Sequence, residues 1–293
     1  MYTTISFPFF GLEMNPGNYL DMFGFKIYYY GMIIALGLVL AFVYGMRRGK
    51  YFGIKQDDIV DGVLWIVPVA VLCTRLYYVV FNWEAGGYAN DLWSIFSFRD
   101  GGLAIYGGVI GAAICVVFYC WKRKINLFAA LDLVALGFLI GQSVGRWGNF
   151  FNREAFGATT DIFLKMGLYN TATGVVEYHH PTFLYESVWN GVGLLALHLF
   201  SKKRQYDGQI ALGYGAWYGL GRMWIEGLRT DSLYWGPFRV SQVVAGISFL
   251  VCTAILIFMA FRPHDRAKLF VNRVPAEEPK EKKKKVKKQK AEE

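Results

Sequence analysis

Seven apolar stretches follow one another along the chain, and charged residues gather in the segments between them. A helix needs about 20 residues to cross the hydrocarbon core of a bilayer, and each stretch is close to that length. The fifth and sixth stretches are short and more polar. The pattern predicts an all-α polytopic membrane protein with seven transmembrane helices. The predicted helices cover residues 27–46, 58–81, 102–121, 128–147, 183–200, 209–226 and 239–261.

Basic residues lie in alternate connections between these helices. The segments MRRGK, WKRK, SKKRQ and FRPHDRAK follow the first, third, fifth and seventh stretches. Lys and Arg are enriched in cytoplasmic loops, so these four connections are predicted to be cytoplasmic. The N-terminus is then outside and the C-terminus inside. The opposite connections are longer, and residues 148–182 are predicted to form a small extracytoplasmic cap.

Composition supports a membrane protein and sets the C-terminal segment apart. Of the 293 residues, 55% are hydrophobic and 18% are charged, whereas about a quarter of a soluble domain is charged. From Arg262 onward there are 12 Lys and Arg against 6 Asp and Glu, so six of the nine net positive charges lie there. We predict a transmembrane catalytic domain at 1–262 and a basic, disordered cytoplasmic tail at 263–293. The tail is expected to attract anionic lipid headgroups weakly rather than to bind nucleic acid.

No metal-binding or phosphate-binding motif stands out in the sequence. Its four cysteines lie in or beside apolar stretches, without metal-site or disulfide spacing. No zinc motif, phosphate-binding glycine loop or serine–histidine–acid order stands out. The sequence therefore does not indicate a metal site. Nothing in it demands a partner subunit, and a monomer is expected. Its chemistry must come from arginines, carboxylates and tyrosines toward the predicted outer leaflet.

The fourth apolar stretch ends in a segment rich in polar residues, GQSVGRWGNFFNREAFG, at residues 141–157. Arg146, Asn149 and Asn152 recur every three residues, so they share one face if the helix continues. An arginine with two amides suits the oxygens of a phosphate or a carboxylate. Glu154 follows, either as a partner of Arg146 or as a proton acceptor. The alternative is a polar knot that only ends the helix.

A second polar stripe lies in the sixth predicted helix. Tyr218, Arg222 and Glu226 are spaced by four residues, so they lie on one helix face. Arg222 and Glu226 are predicted to form an ion pair. This pair either contributes to a binding site or has a purely structural role.

Arg75 lies well inside the second predicted helix, with Tyr78 one turn later. An arginine there costs about 2.5–3.5 kcal/mol on insertion scales, so it needs a partner. It is expected to belong to an anion site, to pair with a carboxylate or to extend toward the outer interface. Tyr30 and Tyr106, the latter among the glycines of GGLAIYGG, are candidates for the site or interfacial aromatic anchors.

Two further polar residues have structural interpretations. Asp132, early in the fourth helix, is expected to lie at an interface or in a salt bridge. His180 precedes Pro181, which suits the first turn of the fifth helix. Hydrogen bonding or capping is expected for His180.

The segment GRWGNFFNREAFG resembles the signature of the bacterial phosphatidylglycerol–prolipoprotein diacylglyceryl transferases. Four more segments agree with that family: IYYYGM, GGLAIYGGVIGA, HPTFLYES and YGLGRMWIEGLR. The resemblance runs from the first helix through the seventh and omits mainly the basic tail. It implies transfer of the diacylglyceryl group from phosphatidylglycerol to the lipobox cysteine thiol of a prolipoprotein. A thioether forms and glycerol phosphate leaves, and no cofactor or metal is expected. The reaction is expected in the bacterial cytoplasmic membrane, with the active site toward the outer leaflet.

The resemblance also implies site residues. Arg146 and Arg222 match the two essential arginines of the family, and we expect Tyr106 and Glu154 to be the other catalytic residues. Substrate binding falls to Tyr30, Arg75, Tyr78, Asn149, Asn152, Gly157, Tyr218 and Glu226. Some members have a histidine, proposed as a base, where this chain has Tyr106, so a histidine base is excluded at that position. We expect Tyr106 to orient lipid, while Glu154 or water accepts the proton. The alternative function is a non-catalytic phospholipid or anion transporter, which the lack of internal repeats disfavours.

Overall fold

The computed structural model describes residues 2–89, 91–97 and 101–273. Its architecture is a bundle of long helices. Within the described residues, seven helices of at least 19 residues match the seven predicted stretches, followed by a short eighth. The helices are α1 Tyr29–Arg48, α2 Gln56–Phe81, α3 Ile105–Arg123, α4 Leu127–Asn152, α5 Thr182–Ser201, α6 Gln209–Leu228, α7 Val240–Ala260 and α8 Phe270–Arg273.

Five of these helices are long and apolar enough to cross a membrane: α1 with the turn after it, α2, α3, α4 and α7. The protein is therefore mostly helical and has the character of a polytopic membrane protein. Helices α5 and α6 are less apolar because they carry buried polar residues such as Glu186, Asn190 and Glu226. Seven crossings and their orientation stay predictions.

The all-α prediction is wrong at one end of the bundle, where eight short strands form. They are β1 Tyr2–Phe7, β2 Leu12–Met14, β3 Tyr19–Met22, β4 Phe25–Tyr28, β5 Met166–Asn170, β6 Val175–His179, β7 Tyr234–Trp235 and β8 Phe238–Arg239. An antiparallel sheet has the order β2-β1-β5-β6, and the other strands form two hairpins. The sheet combines part of the predicted cap with the N-terminal segment, for which no structure was predicted. We call this end of the bundle the sheet end and the opposite end the basic end.

Helix α4 is the central element of the bundle. It packs against α1 and α5, while α2 pairs with α3 and α6 with α7. Close approach depends on glycine, as where a Cβ on Gly219 of α6 would lie 2.7 Å from the carbonyl oxygen of Ala245 in α7. One apolar cluster around Phe52 and Leu136 fills the basic end. A second, around Ile5 and Phe150, joins the sheet to α4.

Asp132 ties α4 to α6 at the basic end. Its side chain is fully buried. Oδ1 accepts the backbone N–H groups of Ile210 and Ala211, each at 2.9 Å, and Oδ2 accepts that of Gly208 at 2.9 Å. The first N–H groups of a helix have no partner inside it, and a carboxylate there also interacts favourably with the helix dipole. Asp132 thus caps a neighbouring helix, a role that was not predicted.

The residues after α7 are folded, contrary to the predicted start of a disordered tail at 263. A short 3-10 helix, Arg266–Lys268, precedes α8. Leu269 is buried, and the backbone N–H of Phe270 donates to Asp207 Oδ2 at 2.8 Å. The disorder prediction is therefore wrong for 263–273. The rest of the predicted tail, 274–293, lies outside the described residues.

We predict that truncation after Arg273 leaves the stability of the protein unchanged, whereas truncation after Arg262 destabilises it. The second truncation removes the buried Leu269 side chain, which is expected to cost about 2 kcal/mol or more. Thermal unfolding in detergent measures the difference. Leu269→Ala should reproduce most of the loss, and Lys268→Ala, at an exposed neighbour, should not. Equal midpoints for the two truncations would contradict the prediction.

Candidate active site

A buried carboxylate, Glu186 of α5, lies among three arginines at the sheet end. Its side chain is 4% exposed. Oε2 is 2.5 Å from Arg146 Nη2 of α4, and Oε1 is 2.6 Å from Arg222 Nη1 of α6. Arg229, which follows α6, places Nη1 3.6 Å from Oε1. We call Arg146, Arg222 and Arg229 the arginine cluster.

Two more carboxylates complete the charge balance of the arginine cluster. Glu226 Oε2 is 2.6 Å from Arg222 Nη2, which is the predicted ion pair along α6. Arg229 donates two hydrogen bonds to Asp231, at 2.9 and 2.7 Å. These bonds hold the pKa of Asp231 below its ordinary value. With Glu186 as the third carboxylate, three positive charges face three negative ones.

Reciprocal serine contacts fix α5 against α4 beside Glu186. Ser187 Oγ donates to the carbonyl of Ser143, and Ser143 Oγ donates to the carbonyl of Ser187, both at 2.8 Å. Ser143 lies three residues before Arg146, so one turn of α4 separates the paired serines from the arginine. The contact sets the register that brings Arg146 to Glu186.

Reciprocal tryptophan contacts do the same between α5 and α6. Trp189 Nε1 donates to the carbonyl of Trp217 at 3.0 Å, and Trp217 Nε1 donates to that of Trp189 at 2.9 Å. The two rings stack with centroids 4.5 Å apart. Gly193 and Gly221 leave the space that these indoles occupy. Because Trp189 lies one turn from Glu186, the stack holds that carboxylate at the level of Arg222.

The signature segment extends the polar network toward Glu154. Asn149 Oδ1 accepts from Arg146 Nη1 at 3.3 Å. Glu154 Oε1 accepts from Asn149 Nδ2 at 3.0 Å and from Asn152 Nδ2 at 3.2 Å. Glu154 thus reaches Arg146 through Asn149, and the carboxylate that pairs directly with Arg146 is Glu186.

Tyr30 and Gly157 lie at close contacts of the sheet end. A Cβ on Gly148 of α4 would lie 2.7 Å from Cδ2 of Tyr30, so this ring covers the backbone of the signature helix. Gly157 donates its N–H to the carbonyl of His180 at 2.9 Å. A Cβ there would lie 2.7 Å from Cβ of His180. Gly157 therefore allows the chain after α4 to pair with the chain before α5.

Of three other predicted residues, Tyr218 and His180 contact nearby tyrosines, and Tyr106 is exposed. Tyr218 stacks on Tyr214, with centroids 5.7 Å apart, and the Tyr214 hydroxyl accepts from Gln142 Nε2 at 2.8 Å. His180 Nδ1 lies 3.3 Å from the hydroxyl of Tyr185, as the hydrogen-bonding interpretation expects. Burial lowers the pKa of His180. Tyr106, the second residue of α3, is 58% exposed on the surface of the bundle.

Arg75 and Tyr78 are in a different place from the arginine cluster. The Arg75 guanidinium is buried and donates to four backbone carbonyls, those of Ser94, Ile95, Gly101 and Gly102. Within residues 2–89, 91–97 and 101–273 it has no carboxylate partner within 4.0 Å and is not extended to the surface. The expected extension toward the interface is therefore wrong. The expected carboxylate pairing stays a prediction, because Asp100, directly before Gly101, lies outside the described residues.

Glu186 and Arg229 were not predicted as site residues. Glu186 lies in HPTFLYES, and a lone carboxylate in an apolar helix does not reveal its partners on other helices. Arg229 follows Glu226 by three residues, at the end of α6. A carboxylate at the start of an apolar helix was the available indication, because such a group needs positive partners.

A metal site does not form in the part of the chain that the structure describes, since no three His, Cys, Asp or Glu side chains group suitably there. Long apolar helices around a buried ionic cluster define a polytopic membrane protein with a charged interior. The chain belongs to the prolipoprotein diacylglyceryl transferase family, whose model matches residues 18–259.

Similar proteins carry the name phosphatidylglycerol–prolipoprotein diacylglyceryl transferase. One from Enterococcus faecalis is 41% identical over 254 residues, covering 83% of this chain and 90% of the relative. One from Clostridioides difficile is 42% identical over 229 residues, covering 78% and 89%. One from Bacillus cereus is 43% identical over 242 residues, covering 80% and 88%. The similarity spans most of both chains in each case.

We predict that Glu186→Gln lowers the free energy of unfolding by about 3 kcal/mol, because it leaves Arg146 without its carboxylate and brings three arginines together around a neutral amide. Unfolding in detergent, followed by circular dichroism, measures the loss. Asp161→Asn is the matched control, since that side chain is 97% exposed in its pair with Lys165 and its loss should cost less than about 1 kcal/mol. Equal losses in the two variants would show that Glu186 does not hold the arginine cluster together.

Proposed function

We propose that this protein transfers the diacylglyceryl group of phosphatidylglycerol to the lipobox cysteine thiol of prolipoproteins. Family membership and the names of the similar proteins support the reaction. The arginine cluster supports it physically, because the phosphate of the lipid needs cationic partners in an apolar environment. The proposed alternative, a transporter without chemistry, is not favoured by these similarities.

The observation that carries the proposal is the sharing of Glu186. One carboxylate places each of its two oxygens on a different arginine, Arg146 at 2.5 Å and Arg222 at 2.6 Å. Two oxygens of one phosphodiester are spaced similarly to those of a carboxylate. The two guanidinium groups are thus arranged to bind a single phosphate, and Glu186 occupies them before the lipid does.

Charge development explains how this arrangement serves the reaction. The cysteine sulfur attacks the glyceryl carbon that is bonded to the phosphate, and a carbon–sulfur bond forms as the carbon–oxygen bond breaks. The electron pair of the broken bond stays on the phosphate of the departing glycerol phosphate. Arg146 and Arg222 stabilise that developing charge, which is the kind of contribution that preorganised donors make.

The thiol proton needs only a modest acceptor. A free cysteine has a pKa of about 8.5, and positive charge nearby favours the thiolate. Glu154 accepts hydrogen bonds from two amides and connects to Arg146 through Asn149. In the proposed mechanism Glu154, or water beside it, takes the proton. Asn149 and Asn152 hold the Glu154 carboxylate in place.

The remaining predicted residues complete the proposed site. Tyr30 packs on the signature helix and Tyr218 lies one turn from Arg222, so both are positioned to line the path of the lipid. Tyr106, exposed at the start of α3, orients lipid by hydrogen bonding. We propose that the sheet end faces outward, with the site toward the outer leaflet of the cytoplasmic membrane. The basic residues at the opposite end support that orientation.

Incubation of a lipobox peptide with the purified protein and phosphatidylglycerol is predicted to add a diacylglyceryl group to the cysteine. Arg146→Ala should lower kcat/KM by about 100-fold, because one donor to the phosphate is lost. Mass spectrometry of the peptide measures the adduct. Lys165→Ala, at a surface ion pair, is the control and should keep full activity. Lipid binding by folded protein without any adduct would favour the transporter.

Tyr106→Phe is predicted to keep turnover at saturating lipid while raising KM for phosphatidylglycerol, since the hydroxyl orients lipid and takes no proton. A phenol with a pKa near 10 is a poor base at neutral pH. Steady-state kinetics in mixed micelles separates kcat from KM. If kcat disappears while lipid binding persists, Tyr106 transfers a proton directly and the proposed role is wrong.

A further inference from the structure

Arg75 of α2 is a buried cation, and its hydrogen-bond partners among the described residues are neutral carbonyls. Nε donates to the carbonyl of Ile95 at 2.8 Å, and Nη2 donates to that of Ser94 at 2.5 Å. Nη1 donates to the carbonyls of Gly101 and Gly102, at 2.8 and 3.1 Å. A guanidinium has five N–H groups. Four hydrogen bonds to carbonyls therefore leave little capacity for an incoming phosphate.

Aromatic rings close the remaining sides of the guanidinium. The Arg75 Cζ atom is 5.9 Å from the ring centre of Tyr78 and 5.7 Å from that of Tyr88. Tyrosine faces within about 6 Å stabilise a cation electrostatically. Carbonyl oxygens and rings together thus balance a charge that has no carboxylate partner among the described residues. A phosphate would have to displace these groups to reach it.

The carbonyls that Arg75 holds lie directly before α3. Gly101 and Gly102 have φ values of +84° and +70°, a region that favours glycine. A Cβ on Gly102 would lie 2.5 Å from Arg75 Nη1 and 2.7 Å from Cε1 of Tyr78. The backbone N–H of Ala104 then donates to the carbonyl of Thr74, the residue before Arg75, at 3.1 Å. The first turn of α3 is therefore fixed to α2 at this level.

We propose that Arg75 is a positioning residue, which sets the start of α3 through the backbone of Gly101 and Gly102 and does not bind the lipid phosphate. Its effect reaches the reaction through Tyr106, the second residue of α3. This inference rests on the proposed transferase function only for its kinetic readout. It gives Gly101 and Gly102 a fixed conformation for which a guanidinium is required, because no other side chain offers a planar fan of five donors.

Hydrogen–deuterium exchange without lipid tests the positioning directly. Arg75→Lys keeps the charge but loses the planar fan, so amides of residues 101–107 should exchange about tenfold faster. Gly102→Ala disrupts the same contact by placing a Cβ against the guanidinium, while Arg75 itself is unchanged. It should therefore give the same increase in exchange. Gly87→Ala is the matched control, because Gly87 also has positive φ but has open space around its α-carbon.

Kinetics of the same variants supplies the second readout. Arg75→Lys and Gly102→Ala should both raise KM for phosphatidylglycerol about tenfold, with kcat within about twofold of the wild type, because both displace the lipid-orienting Tyr106. Arg123→Lys, at the opposite end of α3, should change neither readout. Unaltered exchange in Arg75→Lys overturns the proposal. Raised KM in Arg75→Lys with normal KM and faster exchange in Gly102→Ala also overturns it, since Arg75 would then bind the lipid itself.

The two proposals fail in different ways. If the wild-type protein makes no adduct on the lipobox peptide, the transferase proposal fails while the exchange of residues 101–107 still tests Arg75. If the wild type is active and exchange in Arg75→Lys is normal, only the positioning role fails. A variant that does not fold is recognised by its lost circular dichroism, and Gly102→Ala then decides the question.

Discussion

The sheet end of this protein depends on one buried carboxylate that is shared by arginines. Glu186 joins α4 to α6 through Arg146 and Arg222, although it lies on neither helix. In an apolar environment three guanidinium groups cannot approach one another without an anion between them. The same carboxylate therefore compensates their charge and keeps Arg146 and Arg222 at a spacing that suits two oxygens of one anion. In the proposed mechanism the lipid phosphate replaces the Glu186 carboxylate, so the arginines always have an anionic partner.

Hydrogen bonds to backbone groups fix the relative positions of these helices. Paired serines fix α4 against α5, stacked tryptophans fix α5 against α6, and Asp132 caps α6 from α4 at the far end. Each contact is reciprocal or multiple, so one helix cannot slide along its neighbour without breaking two or more hydrogen bonds. The ion pairs then need to supply charge compensation rather than register. This division agrees with the general behaviour of buried ion pairs, whose net contribution to stability is small when desolvation is counted.

Local spacing predicted the features that lie within single helices. The lengths of apolar runs located the seven long helices, and a four-residue interval predicted the Arg222–Glu226 pair. Partners on other elements have no such interval, which is why Glu186 was not assigned to the site. The partners of Arg75 were harder still to predict, because they are backbone carbonyls, which every sequence contains. The high charge of the C-terminal segment predicted disorder, so the burial of Leu269 against residues distant in sequence was not predicted.

The four-stranded sheet has a consequence for how the protein folds during its synthesis. Strand β1 pairs with β5, and the Tyr2 hydroxyl donates to Glu177, 175 positions later in the chain. Ribosomes deliver the N-terminus first, so β1 has no neighbour on that side until α1 through α4 have been synthesised. Closing so long a loop is slow compared with forming local contacts. During synthesis one edge of β1 therefore stays unpaired, and the sheet becomes complete only when roughly the first 180 residues have been made.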